Sequence, residues 1–146
     1  MEWQDFINMV SEPAQEACSE SGLPWQVPVA QSAIESSWGE DVSGVNNYLG
    51  RKWGGEGTYT ECNTQECIEG VLIDTVAKFQ DYDDIAGSFK DWCVLIEEEP
   101  CYADALAVWN NTQSIEQFIC AFAPIYATHP DYADKVWDTI NACELI

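Results

Sequence analysis

Apolar residues recur at helical spacing from the start of the chain. Trp3, Phe6, Ile7 and Val10 share one face, and after Ser11-Glu12-Pro13 the pattern resumes with Ala14, Ala17 and Cys18 before Gly22 ends it. The spacing predicts a short helix and then a second one. Pro24 can open the next helix, running through Val27, Ala30, Ala33 and Ile34 to Trp38 and stopping at Gly39. Pro28 either distorts its first turn or starts the helix itself. From Gly39 to Phe79 the period changes: glycines at 44, 50, 54, 55, 57 and 70 break the chain, and Thr, Tyr, Val and Ile fill the runs between. Small strands are predicted at about residues 58–62 and 71–79.

Helical period then returns in four stripes. These are Ile85, Phe89, Trp92, Cys93 and Ile96; Ala105, Leu106 and Trp109; Ile115, Phe118, Ile119 and Phe122; and Tyr132, Val136, Trp137 and Ile140. Ser114 with Gln117 forms a capping box for the third stripe. Trp92, Trp109 and Trp137 are placed in the core. With no repeat and no low-complexity linker, the chain reads as one α+β domain over residues 1–146, with a small β-lobe at about 51–80 between helical segments.

Composition narrows the function classes. Across 146 residues there are 47% hydrophobic residues, with 7 Trp, 6 Tyr and 5 Phe, enough for a substantial core. The 26 acidic residues against 5 basic ones give a formal charge of -21, so a phosphate backbone or an anionic membrane surface would repel this protein. Nucleic acid is excluded as a partner on that ground, and no run of 18 apolar residues suggests membrane insertion. Strong self-repulsion makes a monomer the default. The start, Met1-Glu2-Trp3-Gln4-Asp5, carries no secretion-signal pattern, so delivery is expected by phage-type release or within a longer parent chain. Seven Cys is an odd number that leaves at least one thiol over.

Candidate chemistry is sparse apart from carboxylates. His129 stands alone in Thr128-His129-Pro130 with no Cys-x-x-Cys pair, so neither a metal site nor a Ser-His-Asp triad is expected, and no cofactor is implied. Cys62 and Cys67 bracket four residues and can be stapled if that segment folds back on itself, which would steady the β-lobe. Glu97-Glu98-Glu99 reads as a solvated run at a helix end. Glu35 differs: it follows Val29, Ala30, Ala33 and Ile34 and precedes Ser36-Ser37-Trp38, where the helix opens into the glycine-bearing segment. A carboxyl there would lose hydration, and desolvation raises a pKa toward the range a general acid needs, yet taken alone the position favours a helix-end cap or a surface carboxylate.

At this point the residues carry a resemblance. Phe6-Ile7 through Pro13-Ala14-Gln15-Glu16-Ala17, Gly22-Leu23-Pro24 and Val29-Ala30-Gln31-Ser32-Ala33-Ile34-Glu35-Ser36-Ser37-Trp38-Gly39 resemble the opening of glycoside hydrolase family 73, the peptidoglycan-cleaving N-acetylglucosaminidases of autolysins, phage lysins and flagellar wall hydrolases. Asn46-Asn47-Tyr48-Leu49-Gly50 resembles the family's Asn-Asn-Leu-Phe-Gly segment, and Ala77-Lys78-Phe79-Gln80-Asp81-Tyr82 its Phe-x-x-Tyr step. The block from Tyr126-Ala127-Thr128 to Asp131-Tyr132-Ala133 resembles its Tyr-Ala-Thr-Asp-x-x-Tyr-Ala block, with His129 where members usually carry Asp.

The resemblance implies a lysozyme-like fold, a mostly helical lobe facing a small β-lobe with a saccharide groove between. It implies peptidoglycan glycan strands as partner and the cell wall, on its extracellular or periplasmic side, as the place of action. Glu35 falls on the family's general acid, Glu66 on the second carboxylate of the β-lobe, with Glu61 and Glu69 as rivals, and Tyr126 on a tyrosine of the cleavage site. Asn47, Tyr48, Trp53 and Tyr82 are the candidate substrate-binding residues. The second carboxylate would activate water or stabilise an oxocarbenium-like transition state, unless the substrate's acetamido oxygen attacks the anomeric carbon itself. A muramidase or lytic transglycosylase, or a noncatalytic wall-binding domain, are the alternatives.

Overall fold

The computed structural model describes residues 2–146, apart from the side chain of Glu66. Six α-helices and one β-hairpin follow one another in the order α1 (Trp3–Cys18), α2 (Gln26–Glu35), β1 (Tyr59–Ile68), β2 (Val71–Gln80), α3 (Ile85–Glu98), α4 (Ala103–Thr112), α5 (Ile115–Tyr126) and α6 (Tyr132–Ala142). A single 3-10 turn, Pro100–Tyr102, leads into α4. The layout of helices, strand-rich lobe and helices is the one the periodicity predicts.

The expected break at Pro13 does not occur, and α1 runs through it as one helix. Phe6, Val10, Ala14 and Ala17 keep a single apolar phase across the proline and are all buried, so packing of one continuous face outweighs the missing amide. The next helix also differs from its expected bounds. It begins at Gln26, which puts Pro28 in the first turn, where an amide has no intrahelical acceptor anyway. It ends at Glu35 rather than Trp38, because Ser37 and Trp38 adopt φ of 49° and 59° and turn the chain back, with the Trp38 amide donating to the Ala33 carbonyl at 2.9 Å. That stop leaves Glu35 on the last helical residue, facing out of the helical lobe.

The helical core gathers Phe6, Val10, Val27, Phe89, Trp92, Ile96, Phe118, Phe122, Val136 and Ile140 from five helices. Phe118 and Phe122 stack at 5.2 Å, and Trp92 meets both edge-on. Trp109 is buried as expected, and Trp137 packs partly buried against the same cluster. Ser114 caps α5 by accepting from the Gln117 amide at 3.2 Å, and Glu97, Glu98 and Glu99 are exposed.

The β-lobe is longer than the apolar pattern predicts. Strand β1 continues past Cys62 through the polar Asn63-Thr64-Gln65, and pairs antiparallel with β2 from Tyr59↔Gln80 to Ile68↔Val71. Ten β2 partners supply the backbone hydrogen bonds, so a polar sequence is held extended without apolar alternation of its own. A two-residue turn, Glu69-Gly70, closes the hairpin with φ of 52° and 80°, the left-handed pair that a type I′ turn requires. Lys52 adds a bridge to Phe79, making a short third antiparallel edge. The Cys62–Cys67 staple is thereby overturned. The two lie on one extended strand, roughly 16 Å apart at 3.3 Å per residue, and both are free thiols.

Candidate active site

Glu35 stands where α2 meets a groove lined by Leu49, Gly50, Arg51, Lys52, Leu95, Tyr102, Tyr126 and Ala127, a concavity of about 380 Å³. A second concavity of about 350 Å³, lined by Gly54, Glu56, Gln80, Tyr82 and Asp91, joins it at Arg51 and Lys52. The trough therefore follows the seam between the helical lobe and the base of the hairpin. Two of the five basic residues of a -21 chain line it.

Glu35 is exposed on the groove side, with Tyr132 behind it. Burial raises the carboxyl above its ordinary value, and a hydrogen bond from Tyr132 opposes that rise in part. The Tyr132 hydroxyl donates to Glu35 Oε1 at 3.1 Å and accepts from Gln31 Nε2 at 3.0 Å, and Gln31 Oε1 accepts from the Trp92 indole at 2.8 Å. Gln31 is fully buried one turn before Glu35, and Trp92 and Tyr132 are buried beside it. No buried side-chain nitrogen or oxygen of this run lacks a partner, which is the condition for tolerating an amide in the core.

Tyr126, at the C-terminus of α5, lines the groove beside Glu35, and its ring stacks on Tyr132 at 6.0 Å and 8°. Burial, and after it the nearby Glu35 charge, push the Tyr126 phenol up, so it stays a neutral hydroxyl at any physiological pH. Glu35 and Tyr126, ninety-one residues apart in sequence, are thus brought together. The loop beyond Tyr126 is steadied by His129, whose Nδ1 accepts from the Asp131 amide at 3.2 Å. An aspartate can form the same two-residue side-chain turn.

Asn47 does not face the groove. It is 1% exposed, and its amide donates to the carbonyls of Arg51 at 2.8 Å and Gln80 at 2.9 Å while its Oδ1 accepts from the Arg51 amide at 3.0 Å. Its side chain is spent on backbone, so it shapes the wall that carries Arg51 instead of touching a ligand. Asn46, at φ of 56°, donates to the Tyr82 carbonyl, and Gly44 could bear no Cβ because the Gln80 carbonyl would lie 2.8 Å from it. Tyr48 also turns inward, its ring 5.9 Å from Phe6. Tyr82 lines the second concavity and donates to Asp91 Oδ2 at 2.5 Å, the oxygen that also pairs with Arg51 Nε at 3.1 Å.

Trp53 packs on Tyr59 at 4.7 Å beneath Lys78, on the hairpin face opposite the buried Phe79. Its indole donates to the Glu56 and Gly57 carbonyls, closing a small cluster of its own. Glu66 pairs in register with Ile73, seven residues and roughly 23 Å along the strand from the hairpin base; its side chain lies outside the described residues. Glu61 pairs with Lys78 in register and Glu69 forms the turn. Among the described residues no group of His, Cys, Asp and Glu has metal-binding geometry, and no helix is long and apolar enough to cross a membrane.

Arg51, Lys52 and Tyr102 in the groove wall, and Gln31, Trp92 and Tyr132 behind Glu35, escape a reading of the sequence alone. Gln31 carries one usable signal, a polar residue four before Glu35 on an otherwise apolar face. The sequence matches the profile of the family described as glucosaminidase, mannosyl-glycoprotein endo-beta-N-acetylglucosaminidase, over residues 11–145. It is 32% identical to the peptidoglycan hydrolase FlgJ of Escherichia coli K12 over 97% of this chain and 47% of that protein. It is 29% identical to the exo-glucosaminidase LytG of Bacillus subtilis over 99% of this chain and 52% of that protein. The chain thus spans about half the length of the curated relatives it matches. The solved C-terminally truncated glycoside hydrolase domain of Salmonella typhimurium FlgJ superposes with a TM-score of 0.80 at 29% identity, covering 99% of both chains.

Proposed function

Because the chain belongs to the glucosaminidase family, glycoside hydrolase family 73, we propose that it cleaves the β-1,4 bond after N-acetylglucosamine in cell-wall glycan, with Glu35 as general acid. The observation that carries this reading is the Glu35 carboxyl itself. It opens on a groove between two lobes, and burial raises its pKa. A carboxyl that holds its proton where an ordinary glutamate is ionised can protonate the glycosidic oxygen of the leaving sugar.

Roles for the neighbours follow from their positions. As Glu35 gives up its proton, the Tyr132 hydroxyl donates to the carboxylate left behind. Tyr126 offers a neutral hydroxyl and a ring face to the sugar bound over Glu35, and Tyr102 and Leu49 extend the wall. Attack on the anomeric carbon by the substrate's own acetamido oxygen asks nothing of the distal hairpin. Glu66 takes part only if the hairpin bends so that its outer half covers the groove, and its role is then to support the charge on that intermediate or on water. No cofactor is needed for protonation and water attack.

The substrate places the action at the wall, on the periplasmic or extracellular side. A -21 domain gains no attraction to an anionic wall, so delivery falls to a larger assembly or parent chain.

Digestion of purified peptidoglycan by wild type and by Glu35→Gln, with mass spectrometry of the borohydride-reduced products, tests the reading. Fragments ending in reduced N-acetylglucosamine are expected from wild type, with release lowered at least about 100-fold by the substitution. Reduced muramic acid ends or anhydro sugars would replace this reading with a muramidase or transglycosylase. Binding without release would replace it with a wall-binding domain.

A further inference from the structure

We propose that the indole of Trp92 fixes the direction of the hydrogen-bond run Trp92, Gln31, Tyr132, Glu35, and so compels Tyr132 to donate to the acid. The inference rests on the proposed role of Glu35 and assigns positioning residues behind it. An indole N–H donates and cannot accept. With Trp92 Nε1 2.8 Å from Gln31 Oε1, the amide of Gln31 has one orientation, oxygen toward Trp92 and nitrogen toward Tyr132. The Tyr132 oxygen must then accept from Gln31, which leaves its own hydrogen for Glu35 Oε1, 3.1 Å away. Three links on three helices, α3 to α2 to α6, thus end in a donor of fixed sense aimed at one carboxyl oxygen. Glu35 Oε2 is left as the oxygen to carry the transferable proton.

Without the indole the sense is lost. Gln31 can turn its oxygen toward Tyr132, whose hydroxyl then donates inward and withdraws its hydrogen bond from Glu35. Other groups facing Glu35 are unchanged by that flip: Arg51 and Lys52 from the loop, Tyr102 from the 3-10 turn and Tyr126 from α5, with Asp91 held by Arg51. Burial then acts on the Glu35 carboxyl unopposed by Tyr132. The acid must be protonated to act, so the alkaline limb of the kcat/KM profile follows its pKa and moves to higher pH.

The test is that profile on peptidoglycan for wild type, Trp92→Phe, Tyr132→Phe, the double variant, and Trp109→Phe as control. Trp109 is a buried indole donating to the Gly22 carbonyl, so its variant makes the same chemical deletion away from the run. Expected are an alkaline limb displaced upward in Trp92→Phe and in Tyr132→Phe, and no further displacement in the double variant, because both act through one bond. Trp109→Phe loses stability with its limb in place. A limb in Trp92→Phe coincident with that of wild type, or additive displacement in the double variant, overturns the proposal while leaving the reaction assignment standing. Absence of sugar release by wild type overturns the assignment instead. Should Trp92→Phe melt below the assay temperature, Tyr132→Phe with Gln31→Leu supplies the same comparison, and additivity there overturns the proposal equally.

Discussion

Arg51 Nε lies 3.1 Å from Asp91 Oδ2, tying the groove loop to α3 across forty residues of sequence, and the Tyr82 hydroxyl donates to the same oxygen. One carboxylate thereby joins both concavities of the trough. Asp91→Ala leaves two donors without their acceptor, in a site about one third exposed where water replaces part of the loss. We expect a cost of about 1–2 kcal/mol in urea unfolding. A rise in KM larger than any fall in kcat is expected with it, because the wall moves while the acid stays.

Asn47 supplies a sharper test of the same wall. Asn47→Ala removes three hydrogen bonds to the backbone at a site 1% exposed and orphans the Gln80 carbonyl and the Arg51 amide. The expected loss is roughly 2–3 kcal/mol by denaturant midpoint. Asn47→Asp is expected to be worse at neutral pH than at pH 4, since a carboxylate would face two carbonyl oxygens.

The raised pKa of Glu35 ties stability to pH. Its folded-state pKa is raised, so the native state binds the proton more tightly than the unfolded chain does. No penalty exists below the ordinary value near 4.5; it grows as pH rises through the folded value and is complete above it. Glu35→Gln is therefore expected to melt above wild type at pH 8 and level with it at pH 4. Calorimetry at the two pH values checks this, and a constant difference would contradict it.

The thiols should sort by burial. Cys67, Cys101 and Cys120 are exposed, while Cys18 and Cys93 lie buried with sulfurs 3.5 Å apart between α1 and α3. Iodoacetamide on the reduced native protein, followed by peptide mapping, is expected to label the three exposed thiols first and Cys18 and Cys93 only on unfolding.

The periodic stripes for α3 to α6 were legible because each helix buries one face, and that face repeats in the sequence at 3.6 residues. The same logic misjudged α1, since a proline is a local signal and the packing that overrides it is not. It also shortened β1, whose polar middle is held by β2 rather than by any pattern of its own. The hairpin turns at Glu69-Gly70, and the extended strand keeps Cys62 and Cys67 apart.

Glu35 and Tyr126, which line one groove, were singled out through a family resemblance carried by residues contiguous in sequence. By itself the sequence thus determined the lobes and the helical faces, and singled out Glu35 as the candidate acid. Only the tertiary structure decided what surrounds it: that Tyr132 reaches back ninety-seven residues to Glu35, that Gln31 and Trp92 stand behind Tyr132, and that Asn47 faces backbone. The reason is physical. Burial of a face is a local periodic property, whereas the pairing of one donor with one acceptor depends on where distant helices cross, and no spacing along the chain records that.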